Sequence, residues 1–247
     1  MTIWTFGDSF SKHFEHLPDS WVERTSKLLK QDVKSYSKPL STLEYMFYKF
    51  NEERDNIQDN DIVIITVTTL IRRWFFKDYP FRVLDLTEDQ INAFQNYMKY
   101  LSHFDEMHKT FLINFLYNLN HFTEKKNLHT IILPNFFDFD SLLADLYRNN
   151  EIPALHIARG RIGIISDYEF KSDIVAMSGV DWFMKSDIRF NHLIKSNHKI
   201  LSDKIIDNIK NKTPIDLNNQ MIQGVLDNRL LTDPIVFKDE LFEGAIK

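Results

Sequence analysis

A serine hydroxyl becomes a nucleophile when a tight turn exposes it, nearby backbone N–H groups can hold an oxyanion, and a base stands within reach. Gly7-Asp8-Ser9-Phe10-Ser11 has the make-up of such a turn, and it directly follows the apolar run Ile3 to Phe6. Gly7 lets the backbone turn tightly, which leaves Ser9 as a candidate nucleophile. The competing reading takes Asp8 and Ser9 as ordinary turn formers or a helix cap. Among the nine histidines, His192 is the candidate base. It stands in a loop just before a long helical pattern, where a base can reach a sheet edge without burying its backbone. The competing reading is a surface histidine. His198, inside the helical pattern, reads as a packing or capping residue. The stretch Leu70 to Leu86 adds Arg72, Arg73, Trp74, Phe75, Phe76, Tyr79 and Phe81. These suit a substrate wall; the competing reading, a buried aromatic cluster or an oligomer contact, is the commoner one.

Ile3–Phe6 and Val33–Ser37 read as short strands. Asp61 to Thr68 is the clearest strand, continuously apolar and β-branched, as expected for a central parallel strand covered on both faces. Thr130 to Leu133, stopped by Pro134, and Ala154 to Ile157 complete the set. Asp19 or Ser20 caps a helix to about Lys30, with Trp21, Thr25, Leu28 and Leu29 at helical spacing. Ser41 or Thr42 caps a second helix to about Arg54, with Leu43, Met46, Phe47 and Phe50 on one face. Further helices are expected over Glu88–His103, Asp105–Lys125, Phe139–Asn149 and Leu193–Asn211. Strands alternating with helices imply βαβ units and a parallel sheet. Ligands of such sheets bind at the carboxyl ends of the strands, where the Gly7-Asp8-Ser9 turn falls. The organisational break is near Lys212-Thr213-Pro214, dividing a domain over 1–212 from a C-terminal arm over 213–247 that packs on the domain or on a partner.

The chain as a whole resembles the SGNH (GDSL) hydrolase family over roughly residues 2 to 210. Gly7-Asp8-Ser9-Phe10-Ser11 resembles the family's first block, which implies Ser9 as nucleophile. His192-Leu193 through His198 and Leu201 resembles the last block, which implies His192 as base. The family's fold is a three-layer, flavodoxin-like α/β arrangement, a central parallel sheet flanked by helices. Its second block supplies an oxyanion-hole Gly; aligning Ser35 to Ser41 there puts Leu40 at that position, where a backbone N–H survives. Its third block supplies an Asn after the central strand. Here the strand ends Thr66-Val67-Thr68-Thr69, so the Thr68 or Thr69 hydroxyl, or the Arg72 guanidinium, would serve instead. The family acid stands three residues before the histidine. That position is Arg189 here, and the nearest upstream acid is Asp187. Without an acid the site would be a weaker Ser-His dyad. The opening Thr2 to Phe10 is further similar to members encoded by tailed bacteriophages.

Two functions follow from this resemblance. One is a serine esterase or O-deacetylase, acting on an ester such as an acetylated surface polysaccharide, with Ser9, His192 and Asp187 catalytic and Asp8, Leu40, Thr68, Thr69 and Arg72 around the oxyanion and substrate. The other is a virion structural or adaptor protein with an impaired site, docking through the arm. Composition narrows the field. The 247 residues are 43% hydrophobic and 26% charged, a globular balance. There is no cysteine, so disulfides, thiolate metal sites and a cysteine nucleophile are excluded. A net charge of −5 with no basic tract argues against a nucleic-acid partner. No P-loop, G-x-G-x-x-G or metal-ligand spacing is present; Asp138, Asp140, His103 and His108 form no recognisable set. No cofactor is expected. Met1 to Phe6 lacks the features of a signal peptide and no run is long enough to span a bilayer, which predicts a chain that is cytoplasmic when synthesised, with no membrane partner.

Overall fold

A computed structural model describes residues 1–8, 10–11, 20–38, 41–68, 104–135, 139–162 and 195–218. Five strands form one parallel sheet: β1 (Ile3–Gly7), β2 (Val33–Ser37), β3 (Ile62–Val67), β4 (His129–Pro134) and β5 (Leu155–Ile157). Their spatial order is β2-β1-β3-β4-β5, the flavodoxin-like order, whose topological switch point lies between β1 and β3. The described helices are α1 (Trp21–Leu29), α2 (Leu43–Glu53), α3 (Phe104–Lys126), α4 (Phe139–Leu142), α5 (Ala144–Arg148) and α6 (Lys195–Asn211).

The alternation of side chains along each strand sorts the core into two halves. On one face Trp4, Phe6, Val63, Ile65, Val67 and Ile132 pack against Leu43, Met46, Phe47 and Phe50 of α2 and Leu112, Leu116 and Leu119 of α3. On the other, Ile3, Ile62, Ile64, Ile131 and Leu133 pack against Trp21 and Val22 of α1 and Leu201 and Ile205 of α6. The molecule is therefore the three-layer α/β sandwich expected, and every residue of β3 is buried because both its faces are covered.

Both N-caps fall on expected residues. The Ser20 hydroxyl accepts the Glu23 N–H at 3.3 Å, and the Thr42 hydroxyl accepts the Tyr45 N–H at 3.2 Å, each satisfying a donor the helix cannot. Two expectations change. Leu28, placed on the apolar face of α1, is 53% exposed, because that face is formed by Trp21, Val22 and Thr25, with Leu29 partly buried. The single helix expected over Phe139–Asn149 is two short ones. The Leu143 N–H still closes on the Phe139 carbonyl at 2.8 Å before the chain bends. The helix expected over Glu88–His103 and the aromatic stretch Leu70–Leu86 lie outside the described residues.

The chain past α6 belongs to the sheet edge. Arg159 N–H donates to the Ile215 carbonyl at 2.9 Å and Leu217 N–H to the Arg159 carbonyl at 2.8 Å, forming a parallel bridge between Arg159 and Asp216. Ile215 and Leu217 are buried in the α1/α6 half of the core. This segment extends the edge beyond β5, where open backbone groups would otherwise invite pairing with another chain. Residues 219–247, the rest of the arm, lie outside the described residues. Among the described residues no helix is long and apolar enough to cross a membrane.

Candidate functional site

At the switch point the strand ends close around Gly7. Its carbonyl accepts the Lys38 N–H at 3.2 Å and the Ser41 hydroxyl at 2.6 Å, so Lys38 and Ser41 both close on the end of β1. A Cβ on residue 7 would fall on the Thr66 hydroxyl and within 2.6 Å of Ser11 Oγ. That close approach is what the glycine is for. Around it lies a buried set of small hydroxyls: Ser11 Oγ is 2.8 Å from Ser37 Oγ and 2.6 Å from Thr66 Oγ1. The hydroxyls can rotate to share protons, so three strand ends are tied together through Ser11 without any charge.

Asp8 follows, and its side chain is fully buried. One carboxylate oxygen accepts the Thr68 hydroxyl at 2.9 Å. The other accepts Asn135 Nδ2 at 2.8 Å and the Phe10 N–H at 3.0 Å. Hydrogen bonds to a charged acceptor are the stronger kind, and a buried carboxylate requires several of them. Phe10 is held a second time, its carbonyl accepting Trp21 Nε1 at 2.7 Å. The residues on both sides of Ser9 are thus pinned, Asp8 by β3 and β4 and Phe10 by the carboxylate and α1.

Of the residues singled out from the sequence, Asp8 and Thr68 are brought together directly. Ser9, Leu40, Thr69, Arg72, Asp187 and His192 lie outside the described residues. The Thr68 hydroxyl gives its single proton to Asp8, so here it orients the turn. His198 sits in the first turns of α6, where Nδ1 accepts the Trp21 N–H at 3.2 Å. It supports the N-terminus of α1, one of the two roles, packing or capping, expected of it.

Two polar features on this side of the sheet are missed by the sequence reading, which weighs His108 only as a metal ligand. Asn135 is the first residue past β4. Its N–H donates to the Val67 carbonyl at 3.0 Å, which sets it level with Thr68 at the end of β3. The available signal was position: a polar residue immediately beyond a parallel strand stands at the ligand-binding edge. The second is a pair between helices that enter from the same edge, buried His108 of α3 and Glu44 of α2, with Nε2 2.8 Å from Oε1. Burial pushes the Glu44 carboxyl up, but hydrogen bonds from His108, its own backbone and Thr42 outweigh that and hold it below the usual carboxylate range. Among the described residues no group of three or more His, Asp or Glu could hold a metal ion.

The chain is similar in structure to a member of the lipolytic protein G-D-S-L family from Veillonella parvula, with 12% sequence identity, a TM-score of 0.45, and coverage of 84% of this chain and 97% of that one. No protein-family model and no curated protein matches the sequence.

Proposed function

We propose that this protein is an SGNH-type serine hydrolase that cleaves an ester. The observation that carries the reading is the anchoring of the Gly7-Asp8 turn at the β1/β3 switch point: the buried Asp8 carboxylate, next to Ser9 in the chain, is held from β3, β4 and the backbone of Phe10. A nucleophile is useful only when its approach to the reacting carbon is fixed in advance, and such fixing is worth several kcal/mol of barrier. In this reading Ser9 Oγ attacks the ester carbonyl carbon as His192 removes its proton. The oxyanion is held by the backbone N–H of Ser9 and of a residue near Leu40, with Thr69 or Arg72 adding a donor. His192 then protonates the departing alcohol, and water, activated by the same base, releases the acid and frees Ser9. Asp187 orients His192. The likeness of the N-terminal segment to phage-encoded members makes an O-acetylated surface polysaccharide the substrate class to try first.

A second reading is a virion adaptor that keeps the fold with an impaired site. The changes at Leu40, Thr69 and Arg189 favour it, since loss of one oxyanion donor costs about 3–4 kcal/mol in barrier. Its docking arm would have to lie beyond Leu217, because Ile215 and Leu217 are part of the core. Hydrolysis of p-nitrophenyl acetate by wild type and by Ser9→Ala separates the two. A rate lost with the hydroxyl supports the hydrolase, and equal rates from both proteins remove it.

A further inference from the structure

We infer that Asn135 is a positioning residue for the nucleophile turn: from the end of β4 its amide holds the Asp8 carboxylate, and through it the backbone N–H of Phe10, the residue after Ser9. The inference rests on the hydrolase reading only for its kinetic consequence. Three adjacent strands, β1, β3 and β4, each place one residue just past their last paired position, and these residues, Asp8, Thr68 and Asn135, meet through the two oxygens of one carboxylate. The Asn135 donor shares an oxygen with the Phe10 N–H. A carboxylate held by Thr68 alone could rotate about its Cβ–Cγ bond and drop the Phe10 N–H. The second clamp, on the other oxygen, prevents this.

The amide is also oriented without ambiguity. A carboxylate accepts and cannot donate, so the nitrogen of Asn135 faces Asp8 and the oxygen faces away. That oxygen is buried and has no hydrogen-bond partner among the described residues. Asn135 itself cannot drift, since its N–H is tied to Val67 and the preceding Pro134 carbonyl accepts the Ile162 N–H at 2.9 Å.

The test uses the full chain as wild type, Asn135→Ala, Asn135→Asp and Ser9→Ala. p-Nitrophenyl acetate hydrolysis is followed across pH, and amide hydrogen exchange at Phe10 is followed by NMR. With Asn135→Ala, kcat falls ten- to a hundredfold while KM stays within about twofold, the pattern of a misplaced reacting group, and the Phe10 N–H exchanges faster. Asn135→Asp places two carboxyls side by side, which can bond only by sharing a proton. Its kcat and its Phe10 protection therefore recover as pH falls, relative to wild type measured at the same pH, whereas Asn135→Ala shows no such recovery. A residue that merely filled space would not give that pH response. Should Asn135→Ala not fold, Asn135→Asp carries the test alone. Unchanged kcat and unchanged Phe10 exchange in Asn135→Ala, or an Asn135→Asp profile parallel to wild type, overturns the inference while a Ser9-dependent wild-type rate leaves the hydrolase reading standing. If wild type and Ser9→Ala hydrolyse equally, the hydrolase reading falls and Phe10 exchange decides alone: faster exchange in Asn135→Ala sustains the positioning role, and unchanged exchange overturns it.

Discussion

Acidification should weaken the fold at the sheet edge opposite the candidate site. His129 opens β4 and His156 lies in β5, their rings stacked with centroids 4.4 Å apart. Lys212 Nζ is 3.0 Å from His129 Nδ1 and can only donate, so Nε2 carries the imidazole proton and donates it to Asn208 Oδ1 at 2.8 Å. Every contact therefore suits the neutral ring. Burial pushes the His129 pKa down from 6.5 to about 4; the Asn208 hydrogen bond opposes this, while His156 and Lys212 add to it by charge repulsion. His156 is lowered as well, by burial and by Lys212. Because the folded value lies below the unfolded one, stability is whole above pH 6.5. It is lost as pH falls toward 4, where the unfolded chain binds a proton that the folded one refuses. At about 1.4 kcal/mol per pH unit the full loss from His129 is about 3 kcal/mol, or some 6–12 °C in Tm for a chain of this size. His129→Gln is the matched control, since its amide can accept from Lys212 and donate to Asn208 without titrating. Urea melts of both proteins at pH 7, 5.5 and 4 measure the effect. Wild type should lose about 3 kcal/mol more than the variant over this range. Parallel losses would show that the His129 contacts do not govern the acid limb.

Three further outcomes are expected. Gly7→Ala should cost about 3 kcal/mol or more in a urea melt, because the new Cβ falls on the Thr66 hydroxyl and within 2.9 Å of the Thr66 carbonyl; pairing it with Thr66→Ala should recover only part, since the carbonyl stays. Asp61→Ala should cost roughly 2–4 kcal/mol, as its carboxylate accepts the Thr2 N–H, Trp4 Nε1 and the Gln58 N–H, donors that would be left without it. Trp4 fluorescence should follow this unfolding, and any Ser9-dependent activity of the folded protein should persist, because Asp61 precedes β3 at the far edge. Leu217→Ala should cost about 2–4 kcal/mol by calorimetry for the loss of a buried side chain, and a chain ending at Lys212 should lose more; equal melting of that truncation and the full chain would mean that the segment over 213–217 adds nothing to the fold.

How far these features could be read from residue order depends on the distance over which each is decided. The strand Ile62–Val67 and the helix face Leu43, Met46, Phe47 and Phe50 are set by local periodicity, and both stand where the pattern put them. The caps Ser20 and Thr42 act on a donor three residues ahead, again a local event. The polar framework of the site is not local. Asp8 meets partners 60 and 127 residues away, and Asn135 after Pro134 reads by itself as a strand terminator. A terminator and a carboxylate clamp have the same residue type and the same place in the chain; only the β2-β1-β3-β4-β5 order, which sets β3 and β4 in succession beside β1, separates them. Asp61 misleads in the reverse direction. A buried acid with three donors has the look of a functional group, yet the parallel sheet places it at the amino ends of the strands, away from the carboxyl ends where ligands of such sheets bind. Once topology is known, the edge of the sheet on which a buried acid lies is the stronger discriminator between catalysis and scaffolding: Asp8 at one edge can serve chemistry, and Asp61, as well hydrogen-bonded, cannot.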